Sequence, residues 1–380
     1  MNIKAIAFSA QQRVAEQRGI SLQRSHVYEA LAAAFGFASY ASLCADHVFD
    51  VGAPDGFDSA RLTDCIARRL DQLGVSEAPR LQVASELATI VSDQHLRVVS
   101  IDYVIESLLP GGFQQDIDVE IDDDFEEEYD DGPAARVGRQ PFEDWDVSDF
   151  LRSGLEEAAK RGSPKAHYVL SLILKSDGES CAGSSYWYDR QLQGEQLSGV
   201  ELEWANAYRV ANDQVDKRLR HLREAARLGH PDACVDAAEE FQDPDFLRLA
   251  GGARVRDPAR AAEVAAELGQ VEQARNWCLV AAEGGDIDAI RWMIETFDRE
   301  NLARCWTWVH FARLLGTDLT QSHYQLVNED GSDYDDDVGG PGYPVGTDGV
   351  DLPRLDEGQD ANAYRDAANM AARLRERLKE

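Results

Sequence analysis

The phrase LEEAAKRG at residues 155–162 returns as LREAARLG at 222–229 and as CLVAAEGG at 278–285. All three follow one template: an apolar residue, two further residues, Ala-Ala, two more, then Gly. On a helix, an Ala-Ala pair lets a neighbouring helix approach closely. The Gly three residues later takes the left-handed conformation that ends a helix and turns the chain. Four residues past each Gly stands another Ala, namely Ala166, Ala233 and Ala289. From each of these an apolar stripe runs on at +4 (Leu170, Ala237, Met293) and +8 (Leu174, Phe241, Phe297). Pro164 and Pro231 suit the first turn of that second helix. The residues that carry the unit are thus Leu155, Ala158, Ala159, Gly162 and Ala166 in the first copy. Leu222, Ala225, Ala226, Gly229 and Ala233 carry the second, and Cys278, Ala281, Ala282, Gly285 and Ala289 the third. VHFARLLG, 309–316, is a weaker copy with Arg313 in place of the second Ala.

Each copy reads as a helix–turn–helix hairpin that cannot bury both faces alone. Stacked copies bury a continuous core, which predicts an α-solenoid over 148–316. The segments LEEAAKRGSPKAHYVLSLIL and LREAARLGHPDACVDAAEEF resemble Sel-one-like repeats, relatives of tetratricopeptide repeats. GGARVRDPARA, 251–261, is similar to the other signature of that family through Val255, Asp257, Arg260 and Ala261. Gly-to-Gly intervals of 67, 56 and 31 depart from one constant period, and SDGESCAGSSYWYDRQLQGEQ interrupts the first unit. The resemblance implies a curved scaffold for a partner protein, without chemistry of its own.

Ahead of the repeats, residues 1–50 read as a three-helix module. Ile3, Ala7, Ala10 and Val14 mark its first helix, Val27 to Phe35 the second, and SYASLCADH the third. GISLQRSHVYEALAAAFGFASYASLCAD resembles a short helical module that carries a glyoxalase-superfamily label in bacterial proteins. The βαβββ units and metal ligands of that chemistry are missing here, so the activity does not carry over. A second helical region spans 58–110, with stripes in 58–73, 79–91 and 100–109. The sole period-two run is Ile117, Val119 and Ile121, a short strand signal. A C-terminal amphipathic helix is expected over 359–380. The fold class is therefore all-α: a helical N-terminal region plus a short irregular solenoid.

The net charge of −32 is unevenly placed. Residues 111–150 carry fifteen acidic and two basic side chains, and 317–360 carry twelve and one. These stretches read as an acidic linker over 111–147 and an acidic, Gly-rich disordered segment over 317–358. No basic face offers itself to phosphates, which disfavours nucleic acid as a partner. The candidate DNA-reading helix 39–47 has no Arg or Lys. No stretch is long and apolar enough for a membrane span, and the first residues lack a secretory pattern, so the chain reads as cytoplasmic. Six scattered cysteines without a CxxC pair fit a reducing compartment.

No nucleophile, phosphate or metal motif stands out among the eight histidines and six cysteines. The DYDDDVGG stretch, 333–340, lacks the Gly placement and closing Glu of a calcium loop. The sequence thus predicts a non-enzymatic adaptor for a protein partner, with no cofactor. The contact candidates are Tyr186, Trp187 and Tyr188, an aromatic trio in the polar insertion. Phe125 and Tyr129 are further candidates, set among the eleven carboxylates of 116–131. Those carboxylates support the alternative, an acidic immunity-type or nucleic-acid-mimicking protein that neutralises a basic partner.

Overall fold

The computed structural model describes residues 3–52, 59–109, 147–178, 183–251, 254–328 and 342–379. The expected strand 117–121, Phe125 and Tyr129, Cys181, and the stretch 333–340 lie outside them. The fold is all-α: among the described residues, seventeen α-helices accompany two small two-stranded ladders. The chain divides into two compact units, Met1–Cys234 and Val235–Glu380. No helix of the described residues is long and apolar enough to cross a membrane.

The first unit begins with α1 (Ile3–Arg18), α2 (Arg24–Ala34) and α3 (Tyr40–Asp46). Ile3, Ala7, Ala10 and Val14 are all buried along one stripe of α1, as their spacing predicts. Ser39 and Ser42 form a reciprocal capping box that starts α3. The expected third helix runs one residue too far, because His47 opens a strand. That strand, β1 (His47–Val51), pairs antiparallel with β2 (Leu96–Ser100), in register from His47 opposite Ser100 to Val51 opposite Leu96. Between them lie α4 (Ser59–Gln72) and α5 (Glu77–Asp93), and α6 (Ile101–Leu108) follows β2. HVFDV and LRVVS are rich in β-branched and aromatic residues, but each spans only five residues between helices, too few to show a period.

The β1–β2 ladder buries a charge. Asp50 is 1% exposed and lies opposite Arg97 in register. Its Oδ2 accepts from Arg97 Nε at 2.9 Å and Nη2 at 2.5 Å, and its Oδ1 accepts from Ser148 Oγ at 2.6 Å. Ser148 in turn accepts from Leu151 N and caps α7 (Asp149–Lys160). One buried carboxylate thereby ties the ladder to the first repeat helix.

The unit continues with α8 (Pro164–Gly178), α9 (Ser185–Leu192) and α10 (Gly199–Arg227), and the division falls inside α11 (Pro231–Phe241). The second unit adds α12 (Asp245–Ala250), α13 (Pro258–Glu267), α14 (Val271–Glu283) and α15 (Ile287–Trp292). A π-helical turn, Met293–Phe297, leads to α16 (Leu302–Leu314), and α17 (Glu357–Arg377) closes the unit.

The repeated phrase closes each helix in the same way. Gly162, Gly229 and Gly285 have φ of +88°, +87° and +95°. In the first copy Gly162 N–H donates to Ala159 O at 2.8 Å and Ser163 N–H to Ala158 O at 3.1 Å. The pairs Gly229–Ala226 with His230–Ala225, and Gly285–Ala282 with Asp286–Ala281, repeat this double bond. Gly316 ends the weaker copy identically, with Thr317 N–H on Ala312 O. AEVAAELG, 262–269, proves to be a further copy: Gly269 N–H bonds Ala266 O, and Gln270 N–H bonds Ala265 O.

Residues 317–358 are not structureless throughout. β3 (His323–Val327) pairs antiparallel with β4 (Tyr343–Thr347). The ladder escapes notice in the sequence because four of its apolar side chains, Tyr324, Leu326, Tyr343 and Val345, stay exposed. No buried face imposes an alternation.

Candidate functional site

The residues of the repeated phrase are scaffold. Leu155, Ala158, Ala159, Leu222, Ala225, Ala226, Cys278, Ala281 and Ala282 are all buried, and so are Ala166, Ala233 and Ala289. None of them presents a side chain to a ligand. Their cysteines are equally withdrawn. Burial pushes the Cys278 thiol up to about 12 and Cys234 up to about 11. Their Sγ atoms lie 3.4 Å from Ala289 O and 3.5 Å from Ala226 O. A protonated, hydrogen-bonded thiol is a poor nucleophile.

The aromatic trio of the insertion sits on helix α9, not in an irregular loop. Consecutive helical residues point about 100° apart, so the three rings diverge. Tyr186 is 56% exposed and meets the half-buried Trp187 edge-on, centroids 5.0 Å apart. Tyr188 turns inward to Tyr208 of α10, at 5.5 Å. Arg190 holds Tyr186 in place: its guanidinium lies 5.6 Å from the ring centre and its Nη1 donates to the phenol oxygen at 3.2 Å. Glu195 fixes the same guanidinium from the other side.

α9 is held against α10 by an approach that only glycine permits. A Cβ at Gly183 would come within 2.6 Å of Tyr208 N and 2.8 Å of its Cα. One residue on, Ser184 N–H donates to Trp204 O at 3.3 Å. Beside this junction, α10 exposes large apolar side chains along residues 200–215. Val200, Trp204, Val210 and Val215 are 55%, 49%, 47% and 40% exposed, and Leu192 at the end of α9 is 69% exposed. Positions 200, 204 and 215 fall within about 60° of one helix face. The sequence reading singles out Tyr186 but passes over Trp204. The signal that would have found it is the pair Val200–Trp204, spaced i, i+4 within an otherwise polar run.

Further along α10, where the helix is packed, two imidazoles meet. His167 Nδ1 of α8 and His221 Nδ1 of α10 are 2.9 Å apart, and His167 Nε2 lies 3.1 Å from Ala159 O. They line an open cleft of about 500 Å³ whose charges balance, Glu156 and Glu224 against Lys160 and Arg227. Burial lowers both histidines below their ordinary 6.5. His221 falls to about 4, with the neighbouring His167 and Arg220 adding to the effect.

In the second unit Asp298, 4% exposed, is a purely internal hub. It accepts from Trp308 Nε1 at 2.9 Å, Arg304 Nε at 2.6 Å and Arg275 Nη2 at 3.3 Å. Trp277 and Trp308 are buried in the core, while Trp292 and Trp306 are half-buried. Among the described residues no three His, Cys, Asp or Glu side chains are grouped to hold a metal ion. Among the described residues, large apolar and aromatic side chains facing solvent gather on the α9–α10 hairpin and on the β3–β4 ladder. No protein-family model, curated protein or solved structure matches the chain.

Proposed function

We propose that this chain is a non-catalytic adaptor of the kind its Sel-one-like repeats imply, in which helix hairpins stack as a solenoid and present a surface to a protein partner. The observation that carries the reading is the contrast between the apolar template positions of the repeated phrase, which are buried, and the α9–α10 hairpin, whose Tyr186, Leu192, Val200 and Trp204 are exposed. Large apolar side chains left in water on one hairpin mark an interaction surface, and Trp and Tyr are the side chains that anchor such contacts. Glu201 and Glu203 flank Trp204. The matching partner therefore carries an apolar pocket with a basic rim.

The test is affinity capture from the native host with the full chain, identification of the captured protein, and a binding titration with it purified. Trp204→Glu combined with Val200→Glu is expected to weaken binding at least a hundredfold. Val280→Glu, at an equally exposed apolar position of α14, should leave it unchanged. Equal affinity for all three proteins would remove α9–α10 as the contact and the reading with it.

A further inference from the structure

The cleft at His167 and His221 does something the adaptor reading does not require. Ala159 O already accepts the Gly162 N–H of the first repeat turn, at 2.8 Å. Its second lone pair faces His167 Nε2 at 3.1 Å. A carbonyl only accepts, so Nε2 must carry the proton of that ring. In a neutral imidazole that leaves Nδ1 bare, and a bare Nδ1 at 2.9 Å from a second Nδ1 needs a donor opposite it. His221 is therefore protonated on Nδ1. The turn carbonyl fixes both tautomers in series, and one proton joins α8 to α10.

The geometry points to an acid-sensitive latch: the His167–His221 pair clasps α10 onto α8 and the α7 turn while it holds a single shared proton, and releases when both rings are charged. The first added proton enters at His221 Nε2, the lone pair this arrangement leaves over. The second has only His167 Nδ1 to go to, and there it replaces the accepted hydrogen bond with two N–H groups pointed at each other. The charged groups facing the pair are Glu156 and Lys160 from α7, and Arg220, Glu224 and Arg227 from α10. Glu224 favours charge on His167 while Arg227 opposes it, and Arg227 Nε is itself bonded to Glu224 at 2.7 Å. With two carboxylates against three basic groups, the surroundings carry one surplus positive charge and have no surplus carboxylate to absorb two imidazolium charges.

The sign follows from the direction of both shifts. The unfolded chain takes up protons on these rings as pH falls through about 6.5, while the folded chain resists, His221 down to about 4. The latch's contribution is complete above pH 6.5 and is lost as pH falls toward 4. Its functional consequence rests on the adaptor reading, since the same α10 carries Val200 and Trp204. The latch itself is tested without any partner.

The experiment is long-range ¹H–¹⁵N NMR of the imidazoles in the full chain, with urea unfolding of wild type, His167→Gln and His221→Gln between pH 7.5 and 4. At pH 7.5 the ring signals should report an Nε2–H tautomer for His167 and an Nδ1–H tautomer for His221. The wild-type folding equilibrium should fall by up to about tenfold per pH unit per resisted proton across the window. Each variant should fall less steeply. Two independent titrations near 6.5, or the opposite tautomers, would overturn the latch, and so would parallel pH profiles in all three proteins. If a variant does not fold, the wild-type tautomers and titration decide alone. A failed latch leaves the Trp204 binding test untouched, and the reverse also holds.

Discussion

Asp50 shows what a single side chain does here. A carboxylate 1% exposed is tolerated because three donors surround it, two from Arg97 and one from Ser148. Removing it leaves a guanidinium with 28% of its side-chain surface exposed and a cap hydroxyl without its acceptor. Asp50→Ala is therefore expected to destabilise the chain by roughly 3 kcal/mol, the low end for breaking a buried pair because Arg97 still reaches water. Ser148→Ala loses the cap and one hydrogen bond, and should cost about 1 kcal/mol. Urea unfolding of the two variants checks the ratio. Equal losses would mean that Asp50 acts only through the cap and that its pairing with Arg97 contributes nothing net.

Among the elements, α9 depends on one position for its place against α10. Gly183 has no Cβ, and the atom an alanine would add meets the backbone of Tyr208 rather than the end of a flexible side chain. Backbone must therefore move, and Gly183→Ala should cost roughly 1–3 kcal/mol as overpacking does. It should also displace the Tyr188–Tyr208 contact, read as a change in tyrosine fluorescence or aromatic NMR shifts. Unchanged stability and spectra would mean that α9 is not seated as described. Nothing in GSSYWY announces this glycine, since a close approach is a property of the partner backbone. The repeat turns were legible for the opposite reason: Ala-Ala-x-x-Gly is a local motif, and its double hydrogen bond forms within eight residues. The AEVAAELG copy was passed over because its leading apolar position is an alanine, Ala262, which blends into an Ala-rich helix. The ladders of β1 with β2 and β3 with β4 were missed because pairing joins residues about 20 to 50 positions apart, and no five-residue strand records its partner. At the candidate surface, Tyr186 was legible as an aromatic in a polar insertion. Trp204 was not, because exposure depends on how much of a 29-residue helix the rest of the unit covers.

For the whole molecule, the proposed adaptor function would give the charge of −32 and the apolar hairpin different stages of one association. Charge acts at a distance of about a Debye length, near 10 Å at 0.1 M salt and 3 Å at 1 M. It would steer the proposed basic-rimmed partner toward the chain and set the rate of encounter. The proposed anchors on α9 and α10 would act only in contact, through apolar area withdrawn from water, and would set how long the complex lasts. The two can be separated by ionic strength. Between 50 mM and 500 mM salt, the association rate constant with the captured partner should fall by at least tenfold, while the dissociation rate constant stays within about twofold. Trp204→Glu with Val200→Glu should do the reverse and raise dissociation far more than it slows encounter. Rate constants from surface plasmon resonance at several salt concentrations check both. If salt instead accelerates dissociation by as much as it slows association, the contact is made of ion pairs. The acidic stretches, not the aromatic hairpin, would then be what the partner holds.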